Sequence, residues 1–331
     1  MFITLATGQF SLARKFMPTT APSRVPTEVL HHRINAWFQR EARDLPWRHD
    51  CSAWGILVSE IMLQQTPVVR VQPVWEAWME RWPTPADFAA APAAEVLRAW
   101  GRLGYPRRAL RLHAAATEIL QKYDGAVPNT YTELLALPGV GTYTAAAVAA
   151  FAYGQRTTVV DTNIRRVHAR LVIGQALPAP ALTAAEMTLA AQLLPEDRDK
   201  SVLWNASVME LGALICTARS PKCEQCPVFE QCAWIAAGQP EPTYIPKGQP
   251  WAGTDRQVRG AVMAVLRAAS SPIHADLLWD AQAAQLHLEV TAELAKLHQL
   301  NTHAPQLERA LAGLVVDGLA QLSPAGYQLP A

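Results

Sequence analysis

Four cysteines fall within 17 residues in the pattern Cys216-x6-Cys223-x2-Cys226-x5-Cys232, and no other feature limits the fold of this chain so sharply. A stretch that holds four thiolates this close in sequence can wrap one metal centre, whereas unrelated buried thiols would be scattered. An iron–sulfur cubane and a zinc ion both accept four cysteines. Zinc more often uses two short C-x2-C knuckles, and only one occurs here, so a 4Fe-4S cluster is the expected cofactor and zinc its competitor. Either metal would staple a loop carrying Arg219 and Lys222. Cys51, the fifth cysteine, is distant in sequence and reads as a small buried hydrophobe. Unpaired thiols without a secretory leader fit a reducing compartment, and the cytoplasm is the expected location.

The chain has 331 residues, half of them hydrophobic, which is enough for two domains with buried cores and excludes wholesale disorder. No run approaches the roughly 18 uninterrupted apolar residues of a membrane span, so no membrane partner is expected; the expected state is a monomer. A net charge of +1 says little until the charges are placed. Arg98, Arg102, Arg107, Arg108 and Arg111 crowd one segment without an acid, and four arginines between 156 and 170 have Asp161 as the lone acid. Beyond Val258, four basic against six acidic residues leave −2. Basic patches confined to the first two thirds suit a polyanion, with solvated helix faces as the ordinary alternative.

From Thr27 to about Ile235, amphipathic patterns such as Val29–Arg40, Ala93–Trp100 and Arg107–Lys122 alternate with Pro and Gly, which predicts successive helices and no sheet. Residues 236–257 are Pro/Gly-rich and aperiodic and predict a linker. After it, apolar helices at Gly260–Ala269 and Leu307–Val316 and a hairpin within 318–329 predict a small winged-helix-like unit over 258–331. The first 26 residues hold Arg14, Lys15 and Arg24 with no acid, and read as a disordered extension or, alternatively, a targeting segment.

Two further patterns carry chemistry. Leu137-Pro138-Gly139-Val140-Gly141 lies between helical stretches at Tyr131–Ala136 and Thr142–Ala152. Its glycines allow a tight turn that presents backbone N–H groups, and the positive end of the next helix, to a phosphate. A plain αα-hairpin is the competing reading. The second pattern is a pair of carboxylates. Glu60 sits in Trp54–Leu63, apolar on almost every side, where desolvation would keep it protonated. Asp161 follows Thr158-Val159-Val160 and caps the helix Thr162–Leu171, where backbone N–H groups would keep it ionised. A proton donor paired with an anion is what cleavage of a glycosidic bond requires. Singly, Asp161 could be only a cap, and Glu60 could pair with a buried arginine.

The stretches Ser59-Glu60-Ile61-Met62-Leu63-Gln64-Gln65-Thr66, LPGVGTYTAAAV and VDTNIRRV, together with the cysteine array, resemble the adenine DNA glycosylases of the MutY family from about Leu45 to Cys232. The resemblance implies an all-α, helix-hairpin-helix DNA glycosylase fold. A six-helix barrel would span 50–160, and an iron–sulfur cluster domain would be built from 27–49 and 161–235, with duplex DNA kinked between them. It also implies roles. Glu60 would protonate adenine at N7 and Asp161 would stabilise the sugar cation, supported by Tyr143 and Asn163. Trp47 and Arg48 would line the adenine pocket. Gln64 and Gln65 would enter the base stack, Tyr105 would insert beside the orphan base, and Pro138, Gly139, Val140 and Gly141 would hold the backbone. Ordinary packing and solvation remain the alternatives for Trp47, Tyr105 and the two glutamines.

An endonuclease III-like glycosylase/lyase resembles the chain in hairpin, aspartate and cysteines, but it opens the strand with a hairpin lysine. Here Tyr143 holds that position and no lysine lies between Lys122 and Lys200, which leaves no amine for a Schiff base. The expected activity is therefore monofunctional excision of adenine mispaired with 8-oxoguanine or guanine. A non-catalytic iron–sulfur DNA-binding module is the third reading. Many family members read 8-oxoguanine with a Phe-Ser-His loop in a Nudix-like domain; no phenylalanine follows Phe229 here.

Overall fold

The computed structural model describes residues 26–246, 248–280 and 290–331. The expected N-terminal extension, apart from Pro26, lies outside the described residues, as does Lys247 of the expected linker. In chain order the helices are α1 (Thr27–Glu41), α2 (Ala53–Leu63), α3 (Val68–Arg81), α4 (Pro85–Ala89), α5 (Ala93–Trp100), α6 (Arg107–Lys122), α7 (Tyr131–Ala136), α8 (Thr142–Tyr153), α9 (Thr162–His168), α10 (Ala184–Leu193), α11 (Arg198–Leu214) and α12 (Ala233–Ala236). Then come α13 (Asp255–Ala268), α14 (Ala275–Trp279), α15 (Thr291–His298), α16 (Ala304–Val316) and a hairpin of β1 (Gln321–Ser323) and β2 (Gly326–Gln328). Among the described residues no helix is long and apolar enough to cross a membrane.

Side-chain caps set many of the helix starts. Ser52 accepts from the Gly55 N–H to open α2, Thr84 and Thr183 form capping boxes with Asp87 and Glu186, and Asp197 opens α11. Each satisfies N–H groups that a helix start leaves unpaired, worth about 1 kcal/mol. α9 is an α-helix only to His168 and continues as a π-helical turn, Ala169–Ile173, ended by Gly174 with φ 82°.

Two apolar clusters form the core. In the first, Trp78, Trp100, Phe88, Leu57 and Met62 from α2–α5 pack with the inner faces of α6–α8. Trp78 meets Trp82, Phe88 and Trp100 at centroid distances of 5.0–5.7 Å. Truncating such a ring would cost about 3–5 kcal/mol. The second cluster joins Leu30, Ile34 and Trp37 of α1 to Ile164 and Val167 of α9 and Trp204, Val208 and Leu211 of α11. Helix α8 serves both: Ala145, Val148 and Ala149 face the first, Ala146, Ala147 and Ala150 the second.

After α12 none of the described residues is helical until α13, which begins five residues before the expected Gly260. Its first turn is polar and capped by Thr254, so the apolar pattern marks only the buried part. The terminal hairpin pairs Leu322 with Tyr327, and Ile273 adds a bridge to Tyr327. Among the described residues of the C-terminal unit the order is α13, bridge, α14, α15, α16 and hairpin; residues 281–289 of the expected winged-helix-like unit lie outside the described residues. This unit is not detached. Its residues Val262, Leu266, Leu311 and Leu314 belong to the first apolar cluster, and the Arg98 Nη2 donates to the Ala269 carbonyl at 3.1 Å.

Candidate active site and cluster loop

Helix α2 is apolar all round because it runs through the core, and residues Trp54–Met62 are buried, Glu60 included at 7% exposure. Burial pushes the Glu60 carboxyl up to about 7; a hydrogen bond from Tyr143 and the charge of Arg48 pull it down, and Asp161 pushes it further up. Tyr143, in the first turn of α8, and Asp161, at the start of α9, thus both lie close enough to Glu60 to act on its charge, and α8 packs on α2. Tyr143 is held well above its ordinary value by burial and by the two carboxyls, so its hydroxyl stays protonated and can donate.

Asp161 caps α9 as the sequence predicts. The Ile164 N–H donates to Oδ1 at 2.7 Å, and Asn163 Nδ2 donates to Oδ2 at 2.7 Å. The sign of its shift differs from the expectation. Burial raises the Asp161 carboxyl, and the hydrogen bonds from Ile164 and Asn163 and the charge of Arg166 reduce that rise without reversing it. A cap on the surface would have stayed ionised through its N–H donors alone; here the same donors oppose desolvation. Asn163 is oriented in turn by Arg166, whose Nη2 donates to its Oδ1 at 2.8 Å and to the Gly212 carbonyl at 2.7 Å. Gly212 is what lets α11 approach: a Cβ there would lie 2.7 Å from Asn163 Cβ.

Arg48, in the short 3-10 turn Pro46–Arg48, is anchored away from Glu60 and acts on it through charge. Nη2 donates to Glu210 Oε2 at 2.9 Å and Nη1 to the Arg43 carbonyl at 3.0 Å. Arg43 grips Glu210 with both oxygens, at 2.8 and 2.6 Å. Burial would raise Glu210, but its bonds to Arg43 and Arg48 outweigh it and hold the carboxyl down at about 2. Sequence reasoning missed Glu210. Its one signal was a glutamate inside the apolar run Val202–Leu214, the same signal that marked Glu60. Trp47 is half-buried, edge-on to Trp75 at 5.6 Å; it packs against the core beside Arg48.

A second face is built by loop backbones. Gln65 and Tyr105 both have positive φ, 57° and 46°, a region that costs side-chain-bearing residues energy and recurs at functional sites. With Gln64, Arg107, Arg108 and Arg111 they line an open pocket of about 240 Å³. Arg108 holds the two loops together from beneath. It donates to the carbonyls of Ile61, Met62, Gln64 and Gly104 and to the Thr66 hydroxyl, and burial lowers it to about 10. Gln64 also donates to Thr144 of α8 at 3.3 Å. Gly139 and Gly141 are exposed, Val140 is buried and Pro138 is partly so. Gly139 has φ 79°, and a Cβ would strike Arg111 Cβ at 2.8 Å. No side chain caps α8, so its first N–H groups are left to an outside acceptor.

The four cysteines of the array are free thiols on one loop. Cys216, Cys226 and Cys232 pack on the second apolar cluster. Burial pushes Cys226 up to about 12 and raises Cys223 and Cys232, and the charge of Cys216 raises all three further. Thiolates this disfavoured need a cationic centre between them. A zinc ion with bonds of about 2.3 Å would draw its sulfurs to within roughly 4 Å of each other. Among the described residues no three His, Cys, Asp or Glu are grouped for a single ion. Arg166 and Arg170 brace the loop by donating to the Cys216 and Thr217 carbonyls, each at 2.7 Å, and Arg170 lies 3.5 Å from Cys216 Sγ.

The sequence pattern of the HhH-GPD superfamily of base excision DNA repair proteins matches residues 58–192, and that of the iron–sulfur binding domain of endonuclease III matches 216–232. Hairpin, barrel and cysteine loop thus define a helix-hairpin-helix DNA glycosylase that binds DNA and takes a 4Fe-4S cluster rather than zinc. The adenine DNA glycosylase of Mycolicibacterium smegmatis is 48% identical over 305 residues, 91% of this chain and 94% of that protein. Among solved structures, a thermostable thymine-DNA glycosylase is 30% identical with a TM-score of 0.58, covering 64% of this chain and 97% of the other. A non-covalent endonuclease III–DNA complex, 22% identical, shares the fold with a TM-score of 0.55 over 65% of this chain and 98% of its own. The chain belongs to the adenine DNA glycosylase family.

Proposed function

We propose that this chain is a monofunctional base excision repair glycosylase that removes adenine paired with 8-oxoguanine or guanine in duplex DNA. The observation that carries the reading is Glu60, sealed inside an apolar helix, with the buried Tyr143 hydroxyl bonded to it and the hydrogen-bonded carboxyl of Asp161 near enough to act on its charge. The Glu60 O–H gives its proton to adenine N7, so the electron pair of the breaking C1′–N9 bond passes to a cationic ring and adenine leaves neutral. Asp161 faces the sugar cation that remains, and water completes the abasic product. Tyr143 and Asn163 hold the two carboxyls in place. Trp47 and Arg48 form the wall of the base pocket. Base flipping supplies the access, with Gln64, Gln65 and Tyr105 filling the stack and Pro138–Gly141 holding a phosphate.

The 4Fe-4S cluster, held by Cys216, Cys223, Cys226 and Cys232, staples the loop that presents Arg219 and Lys222 to DNA. The proposed domains are a barrel at 50–160 and a cluster domain at 27–49 and 161–235, with α8 of the barrel packed into both apolar clusters. The enzyme acts as a monomer in the cytoplasm. A cleavage assay on duplexes pairing adenine with guanine, 8-oxoguanine and cytosine, with and without alkali, tests the proposal. Free adenine, with strand breaks only after alkali, is expected. Breaks without alkali would favour the lyase reading, and no adenine release would leave a binding module.

A further inference from the structure

The arginine segment 98–111 contains no acid of its own, yet one carboxylate reaches it from more than 200 residues away. Asp317, at the C-terminal end of α16, places Oδ1 3.1 Å from Arg107 Nη1 and pairs through Oδ2 with Arg259 of α13. Arg107 stands two residues beyond Tyr105 and lines the same pocket, with 54% of its side chain exposed. Asp317 is 21% exposed.

Docking alone does not account for this arrangement. A half-exposed ion pair contributes about 0–1 kcal/mol, while the C-terminal unit is already held by its share of the continuous apolar core and by Arg98. The pair's larger effect is directional. A guanidinium with one nitrogen fixed on a carboxylate keeps its other N–H donors in a set plane. Two arginines around one carboxylate also remain net cationic.

We propose that the C-terminal unit completes the wedge pocket, with Asp317 as a positioning residue that aims Arg107 at oxygen acceptors of the DNA strand opposite the excised base. Those acceptors are backbone phosphates or the keto oxygens of the orphan purine. The inference rests on the pocket being the face that meets DNA, as proposed above.

Binding of the full-length chain to duplexes bearing a stable abasic analogue opposite guanine, 8-oxoguanine or a base-free position tests it, by fluorescence anisotropy over a range of salt. Arg107→Gln is expected to weaken binding about tenfold and Asp317→Asn about threefold, with recovery in Asp317→Glu and no further loss in the double variant. A phosphate contact predicts equal loss for all three duplexes and a salt slope lower by about 1. A keto contact predicts loss only opposite the two purines. Arg107→Gln leaves the Arg259–Asp317 pair in place, so it probes the pocket even where Asp317→Asn loosens the unit. Wild-type affinity in both single variants, or losses that multiply in the double variant, overturns the proposal. Failure of the adenine assignment would show separately, as wild-type protein that binds but releases no adenine.

Discussion

Glu60 and Glu210 are both sealed glutamates in helices that are mostly buried, yet one is pushed up to about 7 and the other held down at about 2. Their partners differ. Glu210 has two guanidiniums within 3 Å, whereas Glu60 meets a tyrosine hydroxyl, the repelling charge of Asp161 and the more distant charge of Arg48. Desolvation opposes charge at both positions, and at Glu210 hydrogen-bonded cations outweigh it. Arg48 is spent on Glu210 and reaches Glu60 only through its charge, which leaves the Glu60 carboxyl raised. A buried carboxyl is available for chemistry when its neighbour's counter-charge has been committed elsewhere.

The sharpest way to break this contrast is Glu60→Gln. Loss of the proton donor should slow single-turnover adenine release by about 10²–10⁴-fold while affinity for mispaired DNA changes little; retained turnover would remove Glu60 from the chemistry. In the wild type the protonated form is the active one, so release should fall as pH rises through about 7. Glu210→Gln should instead act on stability. It strands two guanidiniums that are 34% and 22% exposed, so the cost is about 2–3 kcal/mol, below the figure for a fully buried pair, read as a lower urea midpoint. The two carboxyls also load opposite pH windows. Glu210, depressed, contributes stability that is lost as pH falls from about 4.5 toward 2. Glu60, raised, makes the folded state bind the extra proton, so stability drops as pH climbs from about 4.5 through 7. Each variant should flatten its own window and leave the other.

Smaller effects sharpen the picture. Gly212→Ala, pressing a methyl on Asn163, should cost about 1–2 kcal/mol and slow excision more than it weakens binding, because the damage lands beside Asp161. Tyr105→Gly relieves a φ of 46°. It should raise the melting temperature slightly, by up to about 1 kcal/mol of stability, and weaken DNA binding. A variant that is neither more stable nor weaker in binding would mean the strained backbone has no part in DNA contact.

Periodicity and punctuation made most helices legible, with α5, α6 and α7 matching their sequence bounds residue for residue. The cysteine array, the hairpin and Glu60 were legible because each is a local pattern whose chemistry lies in its own segment. Glu210 was not, since its meaning depends on Arg43 and Arg48, more than 160 residues away. Asp317 was hidden for the same reason. The direction of the Asp161 shift escaped because a cap motif reports donors and is silent about how much protein covers them. Arg108 read as part of a basic patch, yet it is buried beneath two loops.

Helix α8 has alanine or valine at every position from 145 to 150, all of them sealed. So slender a rod lets the two cores press on it from opposite sides, and its N-terminal end carries the Gly141 cap and the Tyr143 hydroxyl. The hairpin turn and the placing of that hydroxyl therefore share one lever. A bulkier residue anywhere along that rod would be felt as a simultaneous loss of hold and of timing at its tip, even though it touches neither.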